Sequence, residues 1–148
     1  QLPPNLRKDL DRLKAFVALL PSDRRFTIEF RHESWFDDAV LDELRARDIA
    51  LCVAEGEDVR CPNVATASWG YLRLHRQDYD DAMLMEWRDR VAATTWSTAY
   101  VFFKHDYIDG SGPFAPERFV QMVGSAQPSV RASDATLPAV ERASARVS

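Results

Sequence analysis

Cysteine is scarce in this chain. Cys52 and Cys61 are the only two among 148 residues, and their spacing builds neither a disulfide framework nor a C-x-x-C zinc or redox motif. Each reads as a buried or incidental thiol. Long apolar runs are also missing: the most apolar stretch, AFVALL, is far too short to span a bilayer. No basic segment followed by an apolar one marks a leader, so the chain reads as cytoplasmic and non-membrane. There is no glycine-rich phosphate loop, no G-x-S-x-G elbow and no H-E-x-x-H, which leaves the best-known motif-borne chemistries without support. A net charge of -4 argues against wrapping nucleic acid over the whole surface and leaves a local patch open. What is present, 46% hydrophobic and 28% charged residues, suffices for one ordinary core.

Hydrophobic spacing orders that core into alternating elements. NLRKDLDRLKAFVALLP carries Leu6, Leu10, Leu13, Val17 and Leu20 at helical steps and stops at Pro21. FTIEFRHESWF follows as a strand with Phe26, Ile28 and Phe30 on one face and Thr27, Glu29 and Arg31 on the other. DDAVLDELRARD predicts a helix with aspartates at its amino end, and IALCVAE a strand buried on both faces. Residues 56–68 read as a loop containing Pro62. WGYLRLHR is a strand, DYDDAMLMEWRDRVAA a helix burying Leu84, Trp87 and Val91, STAYVFFKHDY the last strand, and APERFVQMV a short last helix with Pro116 near its first turn.

Strands alternating with helices in this way predict βα units and a parallel sheet. From Gly124 the sequence turns small and polar without a period. Residues 1–124 therefore read as the folded domain and 125–148 as a disordered or loosely attached tail. The tail carries a charge of +1, which leaves about -5 on the folded part. The opening QLPPNLRKD reads as the end of a strand, a Pro-Pro turn and a helix start, so an earlier part of the fold is expected before it or from another chain. The expectation that follows is self-association or pairing with a complementary half of the fold.

LPPNLRKDLDRLKAFVALLP, EFRHESWF, YLRLHR and YVFFKHD, in that order, resemble the carboxyl-terminal half of the YecE-like barrel family known as domain of unknown function 72. Glu29, Arg31, His32, Ser34 and Trp35 look like its Glu-x-Arg-His-x-Ser-Trp signature, and Tyr71, Arg73 and His75 like its Tyr-x-Arg-x-His strand. Lys104, His105 and Asp106 match a looser third element. The resemblance implies the later βα units of a (β/α)8 TIM-type barrel, with parallel strands, helices outside and the barrel incomplete. It implies no settled reaction.

In such barrels, sites lie at the carboxyl ends of the strands. Glu29 and Arg31, Arg73 and His75, and Lys104 and Asp106 share the inward parity near those ends and are expected to converge on one mouth. Three cations against two carboxylates favour a phosphorylated or other anionic ligand, a small molecule or nucleic acid. On this reading Arg31, Trp35, Arg73, Lys104 and Asp106 bind the substrate, and Glu29 and His75 serve as acid or base. Two readings compete with it: a structural ion-pair network of Glu29, Arg31 and Arg73, and local packing for Trp35. A metal held by Glu29, His75 and Asp106 has suitable ligand types but no supporting spacing. The cofactor stays unknown, and whether the chain is an enzyme stays open.

Overall fold

The run from Ile49 to Ala54 has no polar face to offer water, and the strand it forms is covered on both sides. Ala50, Leu51, Cys52 and Val53 are each at most 2% exposed. In this computed structural model, which describes residues 1–55, 61–76, 78–103 and 114–125, that strand is the second of four. β1 (Thr27–Ile28), β2 (Ala50–Ala54), β3 (Gly70–Leu74) and β4 (Ala99–Phe103) form one sheet in the order β1-β2-β3-β4. Every neighbouring pair is parallel. Parallel neighbours need crossovers, and helices supply two of them: α2 (Asp38–Arg45) joins β1 to β2 and α3 (Asp81–Ala92) joins β3 to β4. Between β2 and β3, residues 61–69 form no helix, as the polar, proline-containing sequence predicts. α1 (Leu10–Val17) precedes the sheet and α4 (Phe114–Ser125) follows it.

Aspartates set where three helices begin. Asp9, Asp37 and Asp80 accept the amides of Arg12, Ala39 and Met83 at 3.0, 3.1 and 2.8 Å. The cap at Asp9 shortens α1 relative to the apolar spacing, which begins at Leu6. Leu6 lies ahead of the helix, and its carbonyl accepts the Trp35 Nε1–H at 2.8 Å. α4 runs through Gly124 to Ser125, slightly beyond the expected end of the folded part. Pro116 is tolerated in its first turn because that backbone position has no helical acceptor to lose. Where α2 gives way to β2, Asp48 takes a left-handed φ of 52°. Its carboxylate accepts the Ser68 amide at 2.5 Å and the Ser68 hydroxyl at 2.9 Å, which fixes this turn to the start of β3.

Helix-facing side chains form two apolar groups. Ile28, Phe30 and Leu51 pack with Leu13, Val17, Val40 and Leu44 of α1 and α2. Val53, Leu72 and Leu74 pack with Leu84 and Trp87 of α3 and Phe119 of α4. The other side of the sheet carries a smaller group, Ala50, Ala67 and Trp69, with Tyr71 against it. Beyond it Tyr100 and Phe102 of β4 stay 43% and 49% exposed. Gly70 opens β3 where the Trp96 ring lies flush against the backbone, since a Cβ there would come within 2.4 Å of the ring. No helix among the described residues is long and apolar enough to cross a membrane.

Candidate functional site

Alternation along the strands places a small polar group on the helix-free side, at the carboxyl end of the sheet. Glu29 is the residue after β1, and its carbonyl accepts the Leu2 amide at 2.9 Å. It is the one charged residue buried among the described residues, with an exposure of 6%. A buried carboxylate requires compensation. Glu29 receives it from Arg73 of β3, whose Nη1 donates to Oε2, and from the Cys52 thiol on β2 at 3.8 Å. Arg73 also donates from Nη1 to Gln1 Oε1 at 3.4 Å. Its Nε and Nη2 make no hydrogen bond among the described residues, and its side chain is one-third exposed. The guanidinium is thus anchored on one side and open along its Nε/Nη2 edge.

The thiols beside this pair are unreactive by environment. Desolvation, with a smaller contribution from the Glu29 charge, pushes Cys52 up to about 12. Burial pushes Cys61, whose Sγ lies 3.4 Å from the Cys52 carbonyl, up to about 11. Both stay protonated at neutral pH and act as weak donors.

Trp35, assigned above to substrate binding, takes the competing role. Its ring is 2% exposed, lies parallel to Phe30 with centroids 4.8 Å apart, and ties its N–H to the Leu6 carbonyl. No face is left for a ligand, because the loop folds back through a 3-10 turn over Glu33–Trp35 and carries the indole into the core. His32 and Ser34 belong to the same fastening. His32 Nδ1 accepts the Ser34 amide at 3.1 Å, and Ser34 Oγ accepts the Lys8 amide at 2.8 Å. The quoted signature therefore divides in function: Glu29 enters the polar group, while His32, Ser34 and Trp35 pin the β1–α2 connection to the amino-terminal segment. Arg31, between them, is exposed and makes no hydrogen bond or ion pair among the described residues. His75, one residue past β3, is half-buried. Lys104, His105 and Asp106 lie outside the described residues, and with Asp106 goes the third member of the suggested metal set. Among the described residues, no three His, Cys, Asp or Glu side chains gather closely enough to hold a metal ion.

One polar cluster was not visible in the sequence. Glu55, just past β2, accepts Arg76 Nε at 2.6 Å and the Tyr79 hydroxyl, while that hydroxyl accepts the Arg76 amide at 3.1 Å. The Glu55 amide donates to the Arg73 carbonyl at 2.9 Å, so the cluster also ties the ends of β2 and β3 together. Burial and the Glu55 carboxylate push the Tyr79 phenol above its ordinary range. Glu55 and Tyr79 are 24 residues apart, and no local period links them.

A parallel sheet built of successive βα units, with charged residues gathered at its carboxyl edge, defines an α/β protein of the TIM-barrel type. The family model described as "Protein of unknown function DUF72" matches residues 1–141, and the chain belongs to that family. A crystal structure of a DUF72 family protein from Enterococcus faecalis V583 superposes with a TM-score of 0.59 at 16% sequence identity, covering 84% of this chain and 58% of that one. At that identity the likeness speaks for the fold. This chain spans less than two thirds of the length of that structure. No match is found among curated proteins.

Proposed function

We propose that the carboxyl edge of the sheet is an anion-binding mouth, in which Arg73 takes a phosphate or carboxylate group through its open Nε/Nη2 edge. Arg31 and Lys104 add positive charge. The observation that carries the reading is the state of Arg73: anchored at Nη1 by a buried carboxylate, with the two-donor edge that suits bidentate anion recognition unengaged among the described residues. Glu29 then serves first to hold and aim Arg73. In chemistry on the bound anion, His75 at the end of β3 serves as the acid or base. Asp106 remains a proposed substrate contact. The test is inorganic phosphate titrated by calorimetry against the parent chain, Arg73→Ala and Arg73→Lys. Saturable binding lost in Arg73→Ala and weakened in Arg73→Lys, which lacks the planar fork, is the expected outcome. No saturable binding to the parent overturns it.

One observation favours a second reading, a purely structural pair: Glu29 is buried and already compensated by Arg73. In that case phosphate leaves the parent's melting temperature unchanged, while Arg73→Ala is destabilising on either reading because it strands the buried Glu29 carboxylate.

A further inference from the structure

A carboxylate already occupies one side of the Arg73 guanidinium. To reach Glu29 beyond β1, the Arg73 side chain crosses β2, where the residues of the same face, Cys52 and Ala54, present only a thiol and a methyl group. Its Nη1 serves Glu29 and, at 3.4 Å, the Gln1 side chain. Among the described residues Arg73 is the one cation paired with Glu29. The Cys52 thiol, 3.8 Å from Glu29 Oε2, stays protonated and brings no charge. The two charges of the pair cancel, and the negative one is 6% exposed, so water and salt shield it little. Arg31 is exposed, and its charge acts through water.

We infer that the mouth selects singly charged oxyanions, such as carboxylates, over dianionic phosphate monoesters, and that Glu29 sets this preference. The inference rests on the anion-binding reading above and adds the charge class of the ligand. An anion on the Nε/Nη2 edge shares one guanidinium with Glu29, so the two negative groups lie within a Debye length, ~8 Å at physiological salt. Glu29 therefore cancels much of the field that Arg73 offers the ligand. What attraction remains grows in proportion to the ligand's charge, whereas the cost of drawing an ion out of water grows with the square of that charge. In a weakened field the second charge costs more than it gains. A carboxylate carries one charge and still presents two oxygens to the planar fork.

The test compares methyl sulfate with methyl phosphate, esters of like size and shape that carry one and two negative charges at pH 8. Calorimetry on the purified chain should give about tenfold tighter binding of methyl sulfate, equivalent to ~1.4 kcal/mol. Below about pH 6 the phosphate ester takes up its second proton, so its affinity should rise toward that of methyl sulfate. Methyl sulfate keeps its single charge throughout and reports any change in the protein. This arm needs no variant. In Glu29→Gln, which keeps an acceptor for Nη1 and removes the charge, the preference at pH 8 should reverse in favour of methyl phosphate. Circular dichroism and a cooperative melt establish that this variant folds. Equal affinities for the parent at pH 8, or tighter binding of methyl phosphate, overturn the inference and leave anion binding standing. So does a preference for methyl sulfate that survives undiminished in Glu29→Gln. If neither ester binds, the anion-binding reading fails and the inference goes with it.

Discussion

On the helix side of β3, Leu72 and Leu74 are 1% and 0% exposed, sealed under Leu84 and Trp87 of α3. On the opposite side of the same strand, Tyr71 is half-buried and Arg73 reaches a buried carboxylate with part of its guanidinium open. β4 repeats the contrast more strongly, with Tyr100 and Phe102 exposed and Val101 and Phe103 packed against the helix layer. The alternation is identical on both faces, so the difference lies in what covers them. One face is closed by helices of this chain and holds most of the stability. The other carries a buried charge pair and, on β4, exposed aromatic side chains.

Substitutions on the two faces should separate stability from binding. The largest effect is expected from Leu72→Ala, which removes buried methyl groups where neighbours on two helices cannot fully close in, at a cost of roughly 2–5 kcal/mol. Tyr100→Ser on the other face forfeits an edge contact with Trp69 and the Arg25 hydrogen bond at 3.2 Å, both near solvent, and should cost about 1 kcal/mol or less. Urea denaturation checks both, and comparable losses would mean that the exposed face is more tightly held than its exposure implies.

Next in size is the charge pair. Arg73→Ala leaves the Glu29 carboxylate buried without its cation, at a cost on the order of 3 kcal/mol. The partial exposure of Arg73 holds the loss to the lower end of such effects. The double variant Glu29→Leu with Arg73→Met removes both charges and should recover most of that loss, because no group is then left uncompensated. A double variant as unstable as the single one would place the stabilisation in packing.

Alkaline pH probes the thiols under the pair. The folded values of Cys52 and Cys61, about 12 and about 11, lie above their ordinary value of 9.0. The folded chain therefore keeps these protons while the unfolded chain releases them. The stabilisation is fully present below pH 9, falls as the unfolded thiols ionise, and is lost once the folded values are passed. Cys61 alone contributes up to about 2.7 kcal/mol of this loss between pH 9 and 11, at ~1.36 kcal/mol per pH unit. The shift at Tyr79 acts in the same direction at higher pH. Melts of the parent and Cys61→Ala from pH 8 to 11 should show a shallower fall in the variant. Parallel curves would mean that the thiol is solvated in the folded chain.

How much of this was legible in the sequence depends on the range of the physics involved. Period and capping are local, so the four strands and the helices at 38–45 and 81–92 follow from apolar spacing, with aspartates marking the start of the first of these helices. Strand parity alone also puts Glu29 and Arg73 on one face. Parity cannot say how far a side chain reaches, however. The direct Glu29–Arg73 bond, the Cys52 thiol beside it and the Glu55–Arg76–Tyr79 cluster depend on contacts across strands and loops. The beginning of α1 was misplaced for a related reason. Leu6 fits the helical spacing, but Asp9 caps the helix after it, and the Leu6 carbonyl is used by an indole 29 residues away.

That indole provides the most discriminating test. Trp35 sits within the same signature as Glu29, which does enter the polar group, and its position in sequence makes it a candidate ligand contact. Its surroundings make it a fastener: one face lies against Phe30, and its N–H bonds the Leu6 carbonyl at 2.8 Å. Trp35→Phe keeps a ring for Phe30 and removes the donor, so the Leu6 carbonyl loses its partner. The expected cost is about 1 kcal/mol, the usual net worth of one such hydrogen bond. Phosphate affinity should not move, because the indole is buried at 2% exposure and offers a ligand no surface. Hydrogen exchange should quicken at the amides of residues 6–8, which the indole and Ser34 hold in place. Weaker phosphate binding at unchanged stability would reverse this assignment and return Trp35 to the site, with the β1–α2 loop opening to admit the ligand.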